Sequence, residues 1–504
     1  MSATLPIPAV TAQPRSASSL LRRIFSFPVA LCSLLAVLST LTVQSRFQDP
    51  DTWWHLKLGE VIWTTHAIPR TDLFSYTTSH HATIPHEWLG QLLIYAAYHW
   101  GGYSGLMVWL CLFSAAIPIA GYILCSLYSG NAKVAFLGAI LIWLFSTVGL
   151  SIRPQMIGYL LLLVELLVIH LGRTRNPRWF FALPPLFALW INCHGSFFLG
   201  ILVMGAFLFS GFFEFQFGGL VGRRWNSHTR RTLTWAMAAS AAALFLNPAG
   251  IRQILYPLDA MLNQRVLLAS VEEYQPLQLT STRGIALAAV LGLIVLLAIA
   301  RKAEIFWDEL ILLVAGTWLA ASHQRLLFVF GILAAPVVVR QLSKSWEDYT
   351  RTNDLPAANA FLIAASILAM LWAFPSRQNL AMQVEEKSPV KAVEFMHSHH
   401  LSGPMLNEFV YGGYLMWAAP DQPVFIDGRA DIYDWTGVLA EFGRWATVQE
   451  DPNALLNKYS INFCLLTPQS PMARVLPLLP GWKAVYADSN AVIFQRSARL
   501  PQNP

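Results

Sequence analysis

Two carboxylates separated by one residue are the first candidates for chemistry in this sequence. Asp49 and Asp51 flank Pro50, which favours an extended backbone, so both side chains project to the same side. Such a pair can share a divalent cation or bracket a metal bound to phosphate, an arrangement that Mg²⁺ favours. Asp51 has an alternative role as the N-cap of a helix over residues 52–64. We predict Asp49 and Asp51 as candidate ligands of Mg²⁺ or Mn²⁺.

Further polar side chains lie where apolar segments meet. Arg153 precedes Pro154, and an arginine there can hold a phosphate with two hydrogen bonds or extend to lipid headgroups. His194 and Gly195 form a tight turn, in which the histidine could bind substrate, relay protons or serve the turn alone. The residues predicted to bind substrate are His55, Glu87, Arg153, Gln155, Asn192, His194, His323 and Arg325.

The composition indicates the elements that must position these residues. Of 504 residues, 55% are hydrophobic and only 12% are charged, against about 25% charged in soluble proteins. A spanning helix needs about 17–25 apolar residues. We predict a mainly α, polytopic transmembrane bundle over residues 25–375, after a cytoplasmic tail over 1–24. Its eleven predicted spans lie near 25–44, 103–128, 132–150, 154–173, 179–192, 196–216, 232–247, 284–300, 306–322, 325–341 and 358–375.

Lysine and arginine clusters in the short loops predict the sidedness of the bundle. The clusters are Arg22 and Arg23; Lys133; Arg173, Arg175 and Arg178; Arg223, Arg224, Arg230 and Arg231; Arg301 and Lys302; and Arg340 and Lys344. Since cytoplasmic loops carry such residues, all of these clusters are predicted inside and residues 45–102 form one long external loop. The candidate site then faces the extracytoplasmic side of the membrane. The same distribution argues against a nucleic-acid partner.

The sequence pattern changes after residue 385, where short strand-like and helical segments alternate. We predict an extracytoplasmic α/β domain over residues 385–498, with strands near 404–409, 424–427 and 461–467 and a final hairpin. Asp427, Arg429 and Asp431 follow the second predicted strand, and we favour an internal salt-bridge network over a site. Glu272 and Glu273 are predicted to be ordinary solvated loop residues.

Four stretches carry a resemblance that covers most of the chain. Together they resemble a bacterial branch of the GT-C superfamily of membrane glycosyltransferases, which includes protein mannosyltransferases and the oligosaccharyltransferase catalytic subunit. The stretches are Asp49-Pro50-Asp51-Thr52-Trp53-Trp54-His55-Leu56, Arg153-Pro154-Gln155, Trp190-Ile191-Asn192-Cys193-His194-Gly195 and Asp427-Gly428-Arg429. The resemblance implies that an acidic residue of the first loop, Asp49 or Asp51, is the catalytic base or a metal ligand.

The resemblance also implies a reaction at a bacterial inner membrane: transfer of a sugar from a polyprenyl-phosphate donor to a glycan, lipid or protein acceptor outside the cytoplasm. The oligosaccharyltransferase motif Trp-Trp-Asp-Tyr-Gly has only a faint counterpart at Phe409-Val410-Tyr411-Gly412-Gly413-Tyr414, which lacks the aspartate. A peptide acceptor is therefore not supported. The alternatives are a transporter or lipid-handling protein, in which the same residues line a path, and a noncatalytic envelope assembly factor.

Overall fold

The structure is a computed structural model that describes residues 17–301, 303–343, 346–350 and 354–497. Lys302, Lys344 and residues 1–16 of the predicted tail lie outside the described residues. The helices in the first 350 residues are Ala17–Ile24 (α1), Phe27–Val43 (α2), Asp51–Thr65 (α3), Trp88–Ser129 (α4), Ala132–Ser146 (α5), Gln155–Thr174 (α6), Leu183–Cys193 (α7), Phe197–Ser210 (α8), Ser227–Ala243 (α9), Ile251–Asn263 (α10), Arg265–Ser270 (α11), Thr282–Arg301 (α12), Trp307–Ser322 (α13) and Leu327–Leu342 (α14).

The remaining elements complete the chain. Helices in the last third are Pro356–Ala373 (α15), Arg377–Lys387 (α16), Val390–Ser398 (α17), Gly412–Ala418 (α18), Ala430–Trp435 (α19), Val438–Ala446 (α20), Pro452–Lys458 (α21) and Pro471–Val475 (α22). Short 3₁₀ helices lie at Thr147–Gly149, Pro177–Ala182, Glu272–Tyr274, Gln324–Leu326, Phe409–Tyr411 and Leu476–Leu478. The strands are Phe215–Phe217 (β1), Leu220–Gly222 (β2), Ile305–Phe306 (β3), Met405–Asn407 (β4), Phe463–Leu466 (β5), Trp482–Ala487 (β6) and Val492–Arg496 (β7).

The chain is an integral membrane protein with a mainly helical fold, as predicted. Within the described ranges, six helices are long and apolar enough to cross a membrane. They are Trp88–Ser129, Ala132–Gly149, Gln155–Thr174, Thr282–Ala300, Gln324–Leu342 and Pro356–Ala373. α2 and α8 are apolar but shorter. Each of the eleven predicted segments contains a helix, yet α7, α9 and α13 do not reach this length and hydropathy, so the count of eleven stays a prediction.

α4 is interrupted at Gly102, the residue at which the predicted first loop ends. Its φ of 54° lies in the left-handed region, which glycine adopts without the penalty of a Cβ atom, and it separates two helical stretches within Trp88–Ser129. α3 packs against the first of these stretches so closely that a Cβ on Gly59 would lie 2.3 Å from the Gln91 carbonyl oxygen. α18 covers α3 from another side, since Gly413 contacts Pro50. The helix expected over residues 52–64 is therefore buried between the bundle and the C-terminal part of the chain.

Three helices connect two polar ends of the bundle. α6 begins beside Arg153 and ends at Arg173, which binds Asp308 at the start of α13. α14 follows Arg325 and carries Arg340, whose Nε lies 2.6 Å from Glu309 Oε1. A helix of 20 residues is about 30 Å long. The paired arginines of the loops thus lie at the end opposite Arg153 and Arg325.

The C-terminal part contains a four-stranded mixed sheet in the order β4-β5-β7-β6. β4 and β5 are parallel, and β7 is antiparallel to both β5 and β6. The strand predicted over residues 424–427 is absent from this sheet. Val424 instead forms an isolated parallel bridge with Ser75 of the first loop, and its backbone exchanges hydrogen bonds with Phe74 and Tyr76. The prediction was wrong because the partner of this segment lies about 350 residues away in the chain.

A buried ionic network joins the same two regions. Arg429 donates to both oxygens of Asp427, over 2.8 and 2.6 Å, and to Asp72 of the first loop over 2.6 Å. The side chains of Asp72 and Asp427 are wholly buried. Arg429 and Asp427 therefore form the internal network that the sequence favoured, and Asp72 anchors the first loop to it.

Candidate active site

A cavity of about 260 Å³ lies between the end of the bundle, the first loop and the C-terminal part. It contains most of the residues that the sequence selected. Eight of the ten predicted site residues line it: Asp51, His55, Glu87, Arg153, Gln155, His194, His323 and Arg325. Asp49 and Asn192 lie behind its wall. Asn192 accepts a hydrogen bond from the Trp88 indole over 2.7 Å and donates to two backbone carbonyls, so it braces helix ends and does not face the cavity.

Arg153 is bound mainly by the two carboxylates of the first loop. Its Nε and Nη2 donate to Asp49 over 2.7 and 2.8 Å, and its Nη1 lies 3.0 Å from Asp51 Oδ2. Asp49 also accepts the backbone N–H of Asp51 over 2.9 Å, which shapes the turn around Pro50. Asp51 begins α3 but makes no side-chain capping hydrogen bond. The alternative role of Asp51 as an N-cap is therefore not seen.

The two aspartates differ in their affinity for a proton. Burial alone would raise the pKa of Asp49, but the adjacent Arg153 guanidinium outweighs it and lowers that pKa. Burial raises the pKa of Asp51 to about 6; Arg153 opposes this rise and the negative charge of Asp49 adds to it. Asp49 therefore remains ionised, whereas Asp51 can exchange a proton near neutral pH.

This arrangement does not fit a divalent cation. Asp49 uses both oxygens on Arg153, and a metal on Asp51 would lie against the same positive guanidinium. In the part of the chain that the structure describes, no group of three or more His, Cys, Asp or Glu side chains could hold a metal ion. The predicted Mg²⁺ or Mn²⁺ on Asp49 and Asp51 thus lacks a suitable ligand set, and no step below depends on it.

Glu273 connects the two arginines, contrary to the prediction that it is an ordinary solvated residue. Its carboxylate lies 3.5 Å from Arg153 Nη1 and 3.8 Å from Arg325 Nη1. Arg325 also donates to the Tyr274 hydroxyl over 2.7 Å and to Gln155 Oε1 over 3.1 Å. The side chains of Arg153 and Arg325 are 15% and 26% exposed, and that of Glu273 is 38% exposed. A partly exposed carboxylate therefore occupies the anion-binding position between the two guanidinium groups.

Glu87 lies among three histidines and lines the cavity. Its oxygens are 3.4 Å from His194 Nε2, 3.7 Å from His55 Nδ1 and 4.0 Å from His86 Nε2. Burial raises the pKa of Glu87, although His86 opposes the rise. Burial lowers the pKa of His55 and His194 well below the usual range, and nearby arginines add to the effect, so both imidazoles are neutral near pH 7.

The sequence did not indicate three further residues of the cavity. Tyr256 and Gln264 lie on a segment whose polar residues do not follow a motif. Tyr274 follows Glu273, which was predicted to be an ordinary solvated residue. Asp431 was noticed but assigned to the internal network. It lines the cavity instead and accepts a hydrogen bond from Tyr256 over 3.1 Å. Its position two residues after Arg429, at the start of α19, was the available signal.

The chain has the fold of the GT-C glycosyltransferases, which are its structural neighbours. The oligosaccharyltransferase of Archaeoglobus fulgidus, with a tethered acceptor peptide, aligns over 95% of this chain and 76% of its own, with a TM-score of 0.54 and 13% identity. ArnT from Cupriavidus metallidurans in the apo state aligns over 95% of this chain and 98% of its own, with a TM-score of 0.53 and 12% identity.

A third structure contains a lipid. It is AglB from Archaeoglobus fulgidus in complex with an inhibitory peptide and a dolichol-phosphate, which aligns over 94% of this chain and 74% of its own, with a TM-score of 0.51 and 14% identity. No protein-family model and no curated protein matches the sequence. At these identities the likeness is one of fold, so the bacterial branch of the superfamily stays a prediction.

Proposed function

We propose that this chain transfers a sugar, a hexose or a pentose, from a polyprenyl-phosphate donor to an acceptor outside the cytoplasm. The observation that carries the proposal is that Asp51, Arg153 and Arg325 line one cavity within a GT-C fold. The dolichol-phosphate bound to AglB supports a lipid-linked donor. The acceptor class is a glycan, a lipid or a protein.

Arg325 is the group best suited to bind the donor phosphate. A guanidinium has five N–H donors, and Arg325 uses two of its nitrogens on Tyr274 and Gln155. Arg153, in contrast, directs three nitrogens to Asp49 and Asp51. In this mechanism Arg325 binds the phosphate, which displaces Glu273, while Arg153 holds the two aspartates in place.

Asp51 then acts as the general base. Its carboxylate takes the proton of an acceptor hydroxyl as the oxygen attacks the anomeric carbon. The bond from the anomeric carbon to the phosphate oxygen breaks, and the polyprenyl phosphate leaves with the electron pair. Positive charge on Arg325 stabilises the phosphate as it gains charge. General-base catalysis of this kind contributes about 10²- to 10⁴-fold to rates.

The charge distribution supports an orientation in an inner membrane. Arg173 and Arg340 lie at the end of the bundle opposite the cavity, and cytoplasmic loops are rich in such residues. The cavity, the first loop and the C-terminal part then face the extracytoplasmic side, with the N-terminus in the cytoplasm. A transport path would need ionisable residues at several depths. In the described spans, one carboxylate, Glu165, is remote from both helix ends, and it is wholly buried.

Complementation of a deletion strain tests the proposal. Lipid-linked sugars and envelope glycans are compared by mass spectrometry in cells expressing the wild-type chain, Asp51→Asn, Arg325→Gln or Asp421→Asn, all at equal membrane levels. Asp421 is an exposed carboxylate of the C-terminal part and serves as the matched control. We expect the first two variants to accumulate the donor and lack the glycan, as the deletion does. Full restoration by Asp51→Asn would contradict the proposed base.

A further inference from the structure

The cavity has a second polar region, formed by residues outside the proposed phosphate site. Tyr256 from α10 donates to Asp431 Oδ2 of α19 over 3.1 Å, and its ring stacks on His86 with centroids 4.1 Å apart. Gln264 lies at the junction of α10 and α11 and also lines the cavity. These residues come from the bundle, the first loop and the C-terminal part, so the folded chain brings them together from three separate regions.

Gln264 is the strongest indication that this region binds a ligand. Only 1% of the residue is exposed, yet its Nε2 has no hydrogen-bond partner among the described residues. An unsatisfied buried donor costs about 1–3 kcal/mol, which a bound acceptor atom would offset. Asp431 is similarly available, because no Lys, Arg or His of the described ranges forms an ion pair with it. Its neighbour Arg429 binds Asp427 and Asp72 instead.

The charge and shape of this region define the class of ligand. Asp431 and Glu87 interact electrostatically with each other, so a phosphate or another anion is disfavoured here. Pro257, Ala260 and Leu267 add apolar walls, and Tyr256 adds an aromatic ring. A suitable ligand is uncharged, donates hydrogen bonds from its hydroxyl groups to a carboxylate, accepts a hydrogen bond from an amide N–H and presents C–H groups to apolar walls. A sugar ring has all of these properties.

We propose that Tyr256, Gln264 and Asp431 form a subsite for an uncharged sugar ring. This inference rests on the proposed function, since it places a sugar beside the phosphate site of the same cavity. The ring belongs either to the donor or to a glycan acceptor, and both sources have the same hydrogen-bonding chemistry. In the complex the Asp431 carboxylate accepts a hydrogen bond from the sugar in addition to the one from Tyr256.

Binding measurements on the full chain test the subsite. The chain is placed in lipid nanodiscs because the sugar rings of maltoside detergents would compete with the probes. The donor probes are polyprenyl phosphate and its glucosyl, galactosyl, mannosyl and xylosyl esters. The acceptor probes are the methyl glycosides of the same sugars, added with polyprenyl phosphate. The variants are Asp431→Asn and Gln264→Met, with Asp421→Asn as the matched control, and thermal unfolding checks that each variant is folded.

We expect Asp431→Asn to weaken binding of a sugar probe by about 10-fold, as for loss of a buried hydrogen bond to a charged group, and Gln264→Met by about fivefold, as for loss of a hydrogen bond between neutral groups. Binding of polyprenyl phosphate should stay within about twofold, since these residues do not contact the arginines. A loss confined to the esters assigns the ring to the donor, and a loss confined to the methyl glycosides assigns it to the acceptor.

Other outcomes would overturn the subsite. They are unchanged sugar binding in both folded variants, equal weakening of polyprenyl phosphate and its esters, or a wild-type chain that binds no sugar probe better than the bare phosphate. Failure of the proposed function is recognised separately. In that case polyprenyl phosphate itself does not bind, or its binding does not respond to Arg325→Gln.

Discussion

Arg153 binds Asp49 through two hydrogen bonds, 2.7 and 2.8 Å long, that use both oxygens of the carboxylate. This bidentate pair fixes the plane of the guanidinium. Its remaining nitrogen then lies 3.0 Å from Asp51. Asp49 therefore acts on Asp51 in two ways, through the position of Arg153 and through its own negative charge.

The first prediction concerns the pH dependence of sugar transfer. A general base must be deprotonated, so the wild-type rate should rise with pH and reach half its plateau near the Asp51 pKa of about 6. The charge of Asp49 raises that pKa, so Asp49→Asn should move the acidic limb to lower pH. Rates of polyprenyl phosphate release between pH 4.5 and 8 measure this. An unmoved or upward-shifted limb would contradict the coupling.

A second prediction concerns Glu273, which competes with the donor phosphate for the two arginines. Glu273→Gln should tighten binding of polyprenyl phosphate by up to about fivefold, because a partly exposed ion pair contributes about 1 kcal/mol at most. Titration of the chain in nanodiscs measures the affinity. Glu272→Gln is the matched control, since Glu272 is exposed and does not form an ion pair among the described residues. Equal effects of the two substitutions would exclude a specific competition.

Gly428 provides a steric test of the link between the C-terminal part and Asp51. A Cβ on Gly428 would lie 2.2 Å from Asp51 Oδ1, so Gly428→Ala should displace the proposed base and reduce transfer by at least about 10-fold. Gly443 in α20 is the control, because a Cβ there meets nothing within 4 Å. Gly443→Ala should leave transfer unchanged and stabilise the helix by about 0.5–1 kcal/mol. Normal transfer by folded Gly428→Ala would argue against the contact.

The fourth prediction concerns stability. Arg429→Gln leaves Asp72 and Asp427 buried without their counter-ion, which should reduce the free energy of unfolding by about 3–5 kcal/mol. Arg444 pairs with Glu450 at the surface, so Arg444→Gln should cost less than about 1 kcal/mol. Denaturant unfolding followed by tryptophan fluorescence compares the two variants. Similar losses would show that the buried network does not stabilise the fold.

Sequence periodicity predicted individual helices and strands better than it predicted which elements pack against them or pair with them. α3, Asp51–Thr65, covers the helix predicted over residues 52–64, because helix periodicity is a local property. Residues 424–427 have the composition of a buried strand, but their partner is the first loop, and no local signal identifies a partner so distant. The burial of α3 on two sides was likewise not predicted, because the sequence of a helix does not identify the elements that pack against it.

The residues of the candidate site were predictable where a charged residue occurs between apolar segments of the sequence. Arg153 and Arg325 interrupt apolar segments, and an unpaired charge there is costly, so a partner or a function was expected. Gln264 and Tyr256 are common residues in an ordinary amphipathic segment, and only the folded chain shows that they face a cavity. Glu273 was misjudged because a loop sequence does not reveal which cations lie opposite it.

The bridge between Ser75 and Val424 has a consequence for engineering. Each of these two stretches satisfies backbone groups of the other, so neither is a self-contained module. A hybrid that exchanged the carboxyl-terminal third with that of another protein of the same fold would pair mismatched edges unless residues 71–87 were exchanged with it. The two stretches must therefore be exchanged together, although they lie about 350 residues apart in the sequence.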